Sequence, residues 1–361
     1  MRITSVDPIV LRIPFDDGSA RVGLFPTAWT HLDVVLVRIA TDDGLVGWGE
    51  AFGYSCAPAV AAMVRSACAP LLIGRDPTDP AALNAELQRR TVLPGRHGIT
   101  TFAISGADIA LWDLAAKAAG VSLAELLGGR RRREVPAYAS LVRYGDGDLV
   151  ERYAREACDA GYREIKLHEI TLPEIHRARA AVGPDVKLTV DVNCAWTHDF
   201  AASVIPELAA LDIHWLEEPV FPPEDWQGLA RLRGRGVAIA AGENACTVTP
   251  VQEALRAEAL DILQPSVTKV GGVSVIRDIC SLAAGRTLAP HSPYFGPGYL
   301  ATLQLAAWCP DVTTFEHLAV APEAWPLLGM PLPRGGAVAI PDGPGLGCDP
   351  DPACIDRFRV T

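Results

Sequence analysis

The chain is short of positive charge and has no long run of basic residues. Lys and Arg total 32 against 43 Asp and Glu, which gives a formal net charge of −11. Nucleic acids and anionic membrane surfaces attract basic patches, so the acidic balance argues against both as partners. It does not restrict a small-molecule site, because a bound metal can make an acidic mouth locally cationic.

Cysteine pairs at metal- or redox-motif spacing and long apolar runs are also missing from the sequence. The nine cysteines form no C-x-x-C pair, and their number is odd. This is typical of reduced thiols in a cytoplasmic protein and not of a disulfide framework. The N-terminus MRITSVDPIVLRIPF lacks the layout of a signal peptide, and no apolar run approaches the roughly 20 residues that span a bilayer. We therefore expect a cytoplasmic protein without a membrane partner.

Three acidic residues recur at equal intervals in the middle of the chain. Asp191 ends KLTVD, Glu217 ends IHWLE and Glu243 follows AIAAG, with spacings of 217 − 191 = 26 and 243 − 217 = 26 residues. Such a repeat is about one strand, one helix and two loops, the unit of a (β/α)₈ barrel. Carboxylates at the C-terminal ends of neighbouring parallel strands meet at one mouth, and three oxygen ligands suit Mg²⁺. The spacing predicts a magnesium site.

The strand and helix patterns divide the chain into two parts. Antiparallel strand patterns in ITSVDPIVLRI and DVVLVRIATDDGLVGWGEA precede helical patterns, which predicts an α+β capping domain over residues 1–130. Strands and helices then alternate at intervals of roughly 22 to 26 residues, which predicts a TIM-like (β/α)₇₋₈ barrel, an α/β fold, over residues 131–334. The Pro- and Gly-rich tail, residues 335–361, is expected to return to the first domain.

Further polar residues stand at other predicted strand ends. Lys166 and His168 flank Leu167, so the period-two geometry of a strand directs both side chains to one interior. His291 follows the seventh strand and Glu316 the eighth. Strands two and seven lie on opposite sides of the acidic strands, so a metal-bound ligand would have a basic group on each face. This arrangement suits removal of a proton α to a carboxylate, with the metal and an ammonium group stabilising the enolate.

The chain resembles the enolase superfamily over nearly its whole length, in the mandelate racemase/muconate lactonizing branch. The resemblance rests on the ordered motifs GLVGWGEA, SGADIALWDLAAKAAGVSLAELLGG, TVDVN, WLEEP, AGEN and KVGG. The segment LAPHSPYFGPGYLATLQLAA is similar to the seventh-strand segment of acid-sugar dehydratases such as galactonate dehydratase. The resemblance implies a Mg²⁺-dependent enzyme acting on a small carboxylate substrate, and we expect a homo-oligomer, from dimer to octamer.

By position, the resemblance makes the three spaced acids Mg²⁺ ligands and assigns catalytic roles to four residues. Lys166 would assist the substrate carboxylate, His168 and His291 would serve its two faces, and Glu316 would hydrogen-bond its carboxylate. Asn193 would lie near the α-hydroxyl of the substrate.

Two positions depart from the family pattern. His168 stands where the family usually has a second lysine, so the base on that face would be an imidazole that is neutral near pH 7. Ser266 stands where an Asp usually supports the opposite histidine. It can orient His291 but cannot raise its basicity, so His291 is expected to serve better as an acid. Lys269 is expected to be structural.

Substrate specificity is expected from two regions of the capping domain, residues 16–30 and 51–56. Trp29 and Tyr54 are candidate substrate contacts there, and Arg21 is a candidate partner for a distal anion. The aromatic rings would equally pack the two domains together.

Two outcomes follow from the predicted enolate. Loss of a β-hydroxyl gives dehydration to a 2-keto acid, which the dehydratase-like segment favours, and reprotonation on the other face gives racemisation or epimerisation. A metal-dependent hydrolase is disfavoured because the chain lacks an H-x-H cluster. A non-catalytic barrel is disfavoured because none of the three ligands is missing.

Overall fold

The computed structural model describes residues 1–16 and 29–360. Its strands are β1 (Ile3–Asp16), β2 (His31–Thr41), β3 (Val46–Ala51), β4 (Glu134–Ser140), β5 (Glu164–Leu167), β6 (Lys187–Asp191), β7 (Ile213–Glu217), β8 (Ala238–Ala241), β9 (Ile262–Leu263), β10 (Thr287–Leu288), β11 (Phe315–Leu318), β12 (Ala321–Pro322), β13 (Ala337–Ala339) and β14 (Arg359–Val360). Its α-helices are α1 (Ala57–Met63), α2 (Ala69–Leu72), α3 (Pro80–Arg90), α4 (Ile99–Ala119), α5 (Leu123–Leu126), α6 (Gly147–Asp159), α7 (Leu172–Val182), α8 (His198–Ala210), α9 (Trp226–Leu232), α10 (Val248–Arg256), α11 (Gly272–Leu282), α12 (Pro297–Trp308) and α13 (Pro352–Phe358), with a π-helical turn at Val64–Cys68.

The N-terminal part is an antiparallel sheet covered by helices. Strands β1, β2 and β3 pair in chain order, and the β2–β3 turn passes through Gly44 at φ +90°, a backbone conformation that favours glycine. Helix α4 packs directly on β3 because glycines face each other there. A side-chain Cβ on Gly49 would lie 1.9 Å from the carbonyl oxygen of Gly106 in α4. This close approach explains why glycine occupies position 49 in GWGE of β3 and position 106 in SGAD of α4.

The middle of the chain forms a barrel of eight parallel strands, in the order β10-β9-β8-β7-β6-β5-β4-β11. In the described chain, helices α6 to α12 connect consecutive strands. Backbone hydrogen bonds from the Leu288 nitrogen to Asp311 O (2.9 Å) and from the Thr313 nitrogen to Leu288 O (3.0 Å) link β10 to the segment before β11. The predicted α/β barrel with an N-terminal capping domain is confirmed, and each predicted ligand strand occupies its predicted place.

The tail makes two kinds of contact. Strand β13 pairs antiparallel with β4 of the barrel, and β14 pairs antiparallel with β1 of the N-terminal sheet. The tail thus pairs first with barrel strand β4 and then with β1 of the N-terminal sheet. The domain boundary at residue 130 stays a prediction.

Buried carboxylates of the N-terminal part hold the barrel helices that flank the mouth. At the start of α11, Asp108 accepts hydrogen bonds from the Ser274 nitrogen (2.9 Å) and the Ser274 hydroxyl (2.6 Å). It also accepts one from Asn84 Nδ2 (2.8 Å) in α3. Glu50 accepts one from the Gly298 nitrogen (2.8 Å) at the start of α12. Burial raises the pKa of both carboxyls to about 7. These bonds fix the N-terminal part over the C-terminal ends of the barrel strands.

Within residues 1–16 and 29–360, one helix, α4, is long and apolar enough by length and composition to cross a membrane. The expectation that no apolar run approaches this length is corrected here, because the helix has 21 residues and a mean hydropathy of 1.2. Of its most apolar window, 83% is buried inside the protein. Core helices meet the same test, so the feature is weak evidence for a membrane span.

Candidate active site

The three regularly spaced acids converge at the mouth of the barrel. Asp191 and Glu217 are paired residues at the ends of β6 and β7, and Glu243 follows β8 by two residues. Each offers an oxygen, and these oxygens lie within 4.8 Å of one another. Burial and the charge of Asp191 raise the pKa of Glu217 well above its usual range. Two buried carboxylates and one partly buried carboxylate so close together favour the binding of a cation, and their all-oxygen set fits Mg²⁺.

Lys166 lies beneath this cluster and is almost completely buried. Its Nζ is 2.9 Å from Glu217 Oε1, 3.0 Å from Glu316 Oε1 and 3.2 Å from Asp191 Oδ2. Burial alone would lower the pKa of Lys166, but the surrounding carboxylates outweigh it and hold the pKa well above its usual range. Lys166 is therefore a fixed positive charge at this site and not a proton acceptor.

His168 lies on one side of the acid cluster. Its Nδ1 is 2.5 Å from the carbonyl oxygen of Leu141, and a carbonyl only accepts, so Nδ1 carries the hydrogen. The other ring nitrogen, Nε2, lies 3.4 Å from Asp191 Oδ2 and is the atom left to take a proton.

His291 lies at the other edge of the cluster, where its Nε2 is 2.9 Å from Glu243 Oε2. Its Nδ1 is 3.2 Å from both the Ser266 hydroxyl and the Tyr294 hydroxyl, which also contact each other. The two hydroxyls therefore fix the orientation of the imidazole ring through its Nδ1. Ser266 is fully buried behind the ring, so its position fits orientation of His291 and not direct contact with a substrate. Tyr294 was not predicted as a site residue, and its contact with His291 follows only from the fold.

Glu316, the second residue of β11, is held from both sides. Its Oε1 accepts a hydrogen bond from the Ser140 hydroxyl (2.8 Å) in addition to the Lys166 contact, and its Oε2 accepts one from the Ser292 nitrogen (2.8 Å). Burial opposes its ionisation, but the charges of Lys166 and His291 and the hydrogen bonds from Ser292 and Ser140 together outweigh burial and lower its pKa. The carboxylate is thus rigidly placed at the cavity wall.

A cavity of about 450 Å³ opens over the cluster, between the barrel mouth and the N-terminal sheet. Most of the predicted site residues line it: Trp29, Tyr54, His168, Asp191, Asn193, Glu243, His291 and Glu316. Trp29 and Tyr54 pack edge to face at the cavity, with ring centroids 4.9 Å apart. Arg21 lies outside the described residues.

Two basic residues of this cavity were not predicted as site residues. Lys269, which was expected to be structural, lines the cavity, with its Nζ 2.7 Å from Glu243 Oε1 and 4.8 Å from the centre of the Phe52 ring. The expectation stays a prediction. Arg143 also lines the cavity. It follows the end of β4 by three residues, and the rule that catalytic groups follow barrel strands would have identified it.

Comparison with known proteins identifies the family to which this chain belongs. Residues 149–354 match the family model "Enolase C-terminal domain-like", and residues 23–128 match "Mandelate racemase / muconate lactonizing enzyme, N-terminal domain". The chain is 36% identical to D-galactarolactone cycloisomerase of Agrobacterium fabrum, over 100% of this chain and 99% of that protein. It is 32% identical to arabinonate dehydratase of Saccharolobus solfataricus, over 88% of each. The crystal structure of a racemase from Streptomyces coelicolor A3(2) with bound magnesium has a TM-score of 0.88 and 30% identity, covering 99% of this chain and 100% of that one.

The chain belongs to the mandelate racemase/muconate lactonizing enzyme branch of the enolase superfamily. It is a lyase or isomerase, and its cofactor is Mg²⁺. The family resemblance and the predicted metal are thereby confirmed.

Proposed function

We propose that this enzyme removes the proton α to the carboxylate of an acid sugar and then expels the β-hydroxyl as water. The observation that carries the proposal is the placement of two imidazoles at opposite edges of one acid cluster. His168 Nε2 faces Asp191, and His291 Nε2 faces Glu243. One ring is thus available on each side of a substrate bound between them.

Each residue has a distinct part in the proposed reaction. Asp191, Glu217 and Glu243 would hold Mg²⁺, which supplies positive charge next to the substrate carboxylate and so stabilises the enolate. Lys166 adds a second, buried positive charge under the same position. These two charges lower the cost of forming a doubly negative species from a weakly acidic C–H bond.

The proton transfers are assigned to the two histidines. His168 Nε2 takes the α-proton, because its Nδ1 hydrogen is already donated to a carbonyl. The electron pair of the broken C–H bond first enters the enolate formed from the substrate carboxylate. In the second step this pair forms the C=C bond between the α and β carbons as the β C–O bond breaks. His291 gives its proton to the departing oxygen, and the enol then tautomerises to a 2-keto acid. Ser266 and Tyr294 keep the His291 ring in place for this step.

A cycloisomerase is the second candidate, favoured by the full-length similarity to D-galactarolactone cycloisomerase. The same elimination opens a ring when the departing oxygen belongs to that ring, and the product is then an isomer with no loss of water. Racemisation or epimerisation remains the third outcome, because a ring on each face allows the proton to return from the opposite side.

Proton NMR in D₂O with Mg²⁺, over a panel of aldonic acids, their lactones and 2-hydroxy acids, tests the proposal. A new 2-keto-3-deoxy product supports the dehydratase, and an isomeric ring-opened product identifies the cycloisomerase. Loss of the α-proton signal with an unchanged skeleton identifies a racemase or epimerase. No Mg²⁺-dependent change with any acid contradicts all three.

We also propose a cytoplasmic homo-oligomer. All nine cysteines are free thiols in the structure, which fits a reducing compartment. Exposed apolar side chains such as Leu93 (94% exposed) and Phe221 (77% exposed) offer surface for contacts between subunits. Light scattering of the purified enzyme would give the number of subunits.

A further inference from the structure

Two side chains inside the barrel hold one oxygen of Glu217, a proposed metal ligand. Gln264, the residue after β9, donates from Nε2 to Glu217 Oε2 (2.7 Å), and Trp215 in β7 donates from Nε1 to the same oxygen (3.1 Å). All three side chains are almost completely buried. The Trp215 ring packs edge to face on Tyr138, with ring centroids 5.7 Å apart. The carboxylate of Glu217 therefore receives two fixed N–H groups from the barrel interior.

These two bonds leave different acceptor capacity on the two oxygens of Glu217. A carboxylate oxygen has two lone-pair positions, and the two N–H groups occupy both positions of Oε2. Within residues 1–16 and 29–360, Oε1 has one donor, Lys166 Nζ at 2.9 Å. One position of Oε1 therefore remains open. A cation at the acid cluster would reach Glu217 through Oε1 and not through Oε2.

The other end of the Gln264 amide argues against a purely stabilising role. An ionised carboxylate only accepts hydrogen bonds, so the amide nitrogen faces Glu217 and the amide oxygen points away. That oxygen is buried and has no hydrogen-bond partner in the part of the chain that the structure describes. Leaving a buried acceptor unpaired costs free energy, and an apolar side chain of similar size would avoid this cost. The contact with the carboxylate is therefore the physical reason for a polar residue at this position.

We infer that Gln264 and Trp215 are positioning residues that present a single oxygen of Glu217 to Mg²⁺. Mg²⁺ demands near-ideal octahedral geometry and short distances, whereas Ca²⁺ accepts carboxylates through one or both oxygens in a looser shell. Groups that orient a ligand without touching the metal typically change metal affinity by about 10- to 100-fold. The two donors thus favour Mg²⁺ over Ca²⁺. The inference rests on the proposed assignment of Glu217 as a ligand and extends it to the choice of metal.

Calorimetric titration of the metal-free enzyme with Mg²⁺, and separately with Ca²⁺, tests the inference. Gln264→Leu removes one donor with little change in size, and Trp215→Phe removes the other while keeping an aromatic ring beside Tyr138. Each change should raise the Kd for Mg²⁺ by about 10- to 100-fold and the Kd for Ca²⁺ by less than about 3-fold. The preference for Mg²⁺ should fall accordingly. If Gln264→Leu does not fold, Trp215→Phe decides the test.

Gln304→Leu is the matched control for the loss of a buried glutamine. Gln304 is equally buried, but its Nε2 donates to the backbone oxygens of Pro341 (2.9 Å) and Leu346 (3.2 Å) in the tail. This variant should keep both metal affinities of the wild type, because Gln304 does not contact the acids. Urea titrations in EDTA give the stability of each variant and so separate a loss of stability from a loss of metal affinity.

An unchanged Kd for Mg²⁺ in Gln264→Leu, or an equal loss of affinity for Mg²⁺ and Ca²⁺, would overturn the inference. Glu217→Gln, titrated in the same way, separates this result from failure of the ligand assignment. If Glu217→Gln loses Mg²⁺ binding while Gln264→Leu and Trp215→Phe retain it, the ligand stands and the positioning role is wrong. If Glu217→Gln binds Mg²⁺ as tightly as the wild type, the ligand assignment is wrong and the positioning role falls with it.

Discussion

Replacing Lys166 by Met should destabilise the metal-free protein strongly and the Mg²⁺-loaded protein less. Lys166 is 1% exposed and has carboxylate oxygens at 2.9, 3.0 and 3.2 Å. With an effective dielectric constant of about 20, each contact near 3 Å contributes about 5 kcal/mol of attraction before desolvation is subtracted. Desolvation cancels most of that sum, and breaking a buried ion pair by removing one partner costs about 3–5 kcal/mol.

Methionine has a similar length, so the change removes the charge without leaving a large cavity. The free energy of unfolding from urea titrations in EDTA should therefore fall by about 3–5 kcal/mol. In excess Mg²⁺ the difference from wild type should shrink, because the divalent cation offsets the same carboxylates and binds more tightly once the neighbouring ammonium is gone. Lys187→Met, at the exposed start of β6, is the matched control and should change stability by less than about 0.5 kcal/mol. An unchanged unfolding free energy in EDTA, or an equal loss with and without Mg²⁺, would refute this account of Lys166.

Three further predictions concern the ligands, the bases and the interface between the two parts of the chain. Asp191→Asn and Glu217→Gln should each abolish Mg²⁺-dependent turnover while the circular dichroism spectrum is preserved, and retained turnover in either would overturn the ligand assignment. His168→Asn should suppress exchange of the substrate α-proton with D₂O, followed by NMR. His291→Asn should block the elimination of water while the α-proton still exchanges with D₂O. The opposite pattern would mean that the two histidines have the reverse roles. The raised pKa of Asp108, about 7 in the folded protein, means that the folded state binds this proton more tightly than the unfolded state. Protonation of Asp108 therefore stabilises the folded state fully below the ordinary carboxyl pKa, and this stabilisation is lost as the pH rises to about 7. The urea midpoint of the wild type should fall over that pH window, and that of Asp108→Asn should fall less.

The sequence by itself determined the barrel and the cluster of three acids at its mouth. Asp191, Glu217 and Glu243 could be identified because parallel strands place their C-terminal ends at one mouth, whatever the details of packing. Lys166 and His168 could be assigned to the same interior because side chains alternate along a strand with period two. Both rules depend only on positions along the chain, so sequence spacing is enough to predict that these residues face one mouth.

The tertiary structure alone decided which groups touch. Lys269 and Arg143 lie in loops after strands, where no period fixes the direction of a side chain, and their contacts with Glu243 and Asn193 depend on how neighbouring loops pack. Likewise, only the fold shows that Lys166 lies beneath the acids, within contact of three carboxylates, and is therefore held as a charged ammonium. Electrostatic roles depend on distances between residues far apart in the chain, and sequence spacing does not specify those distances.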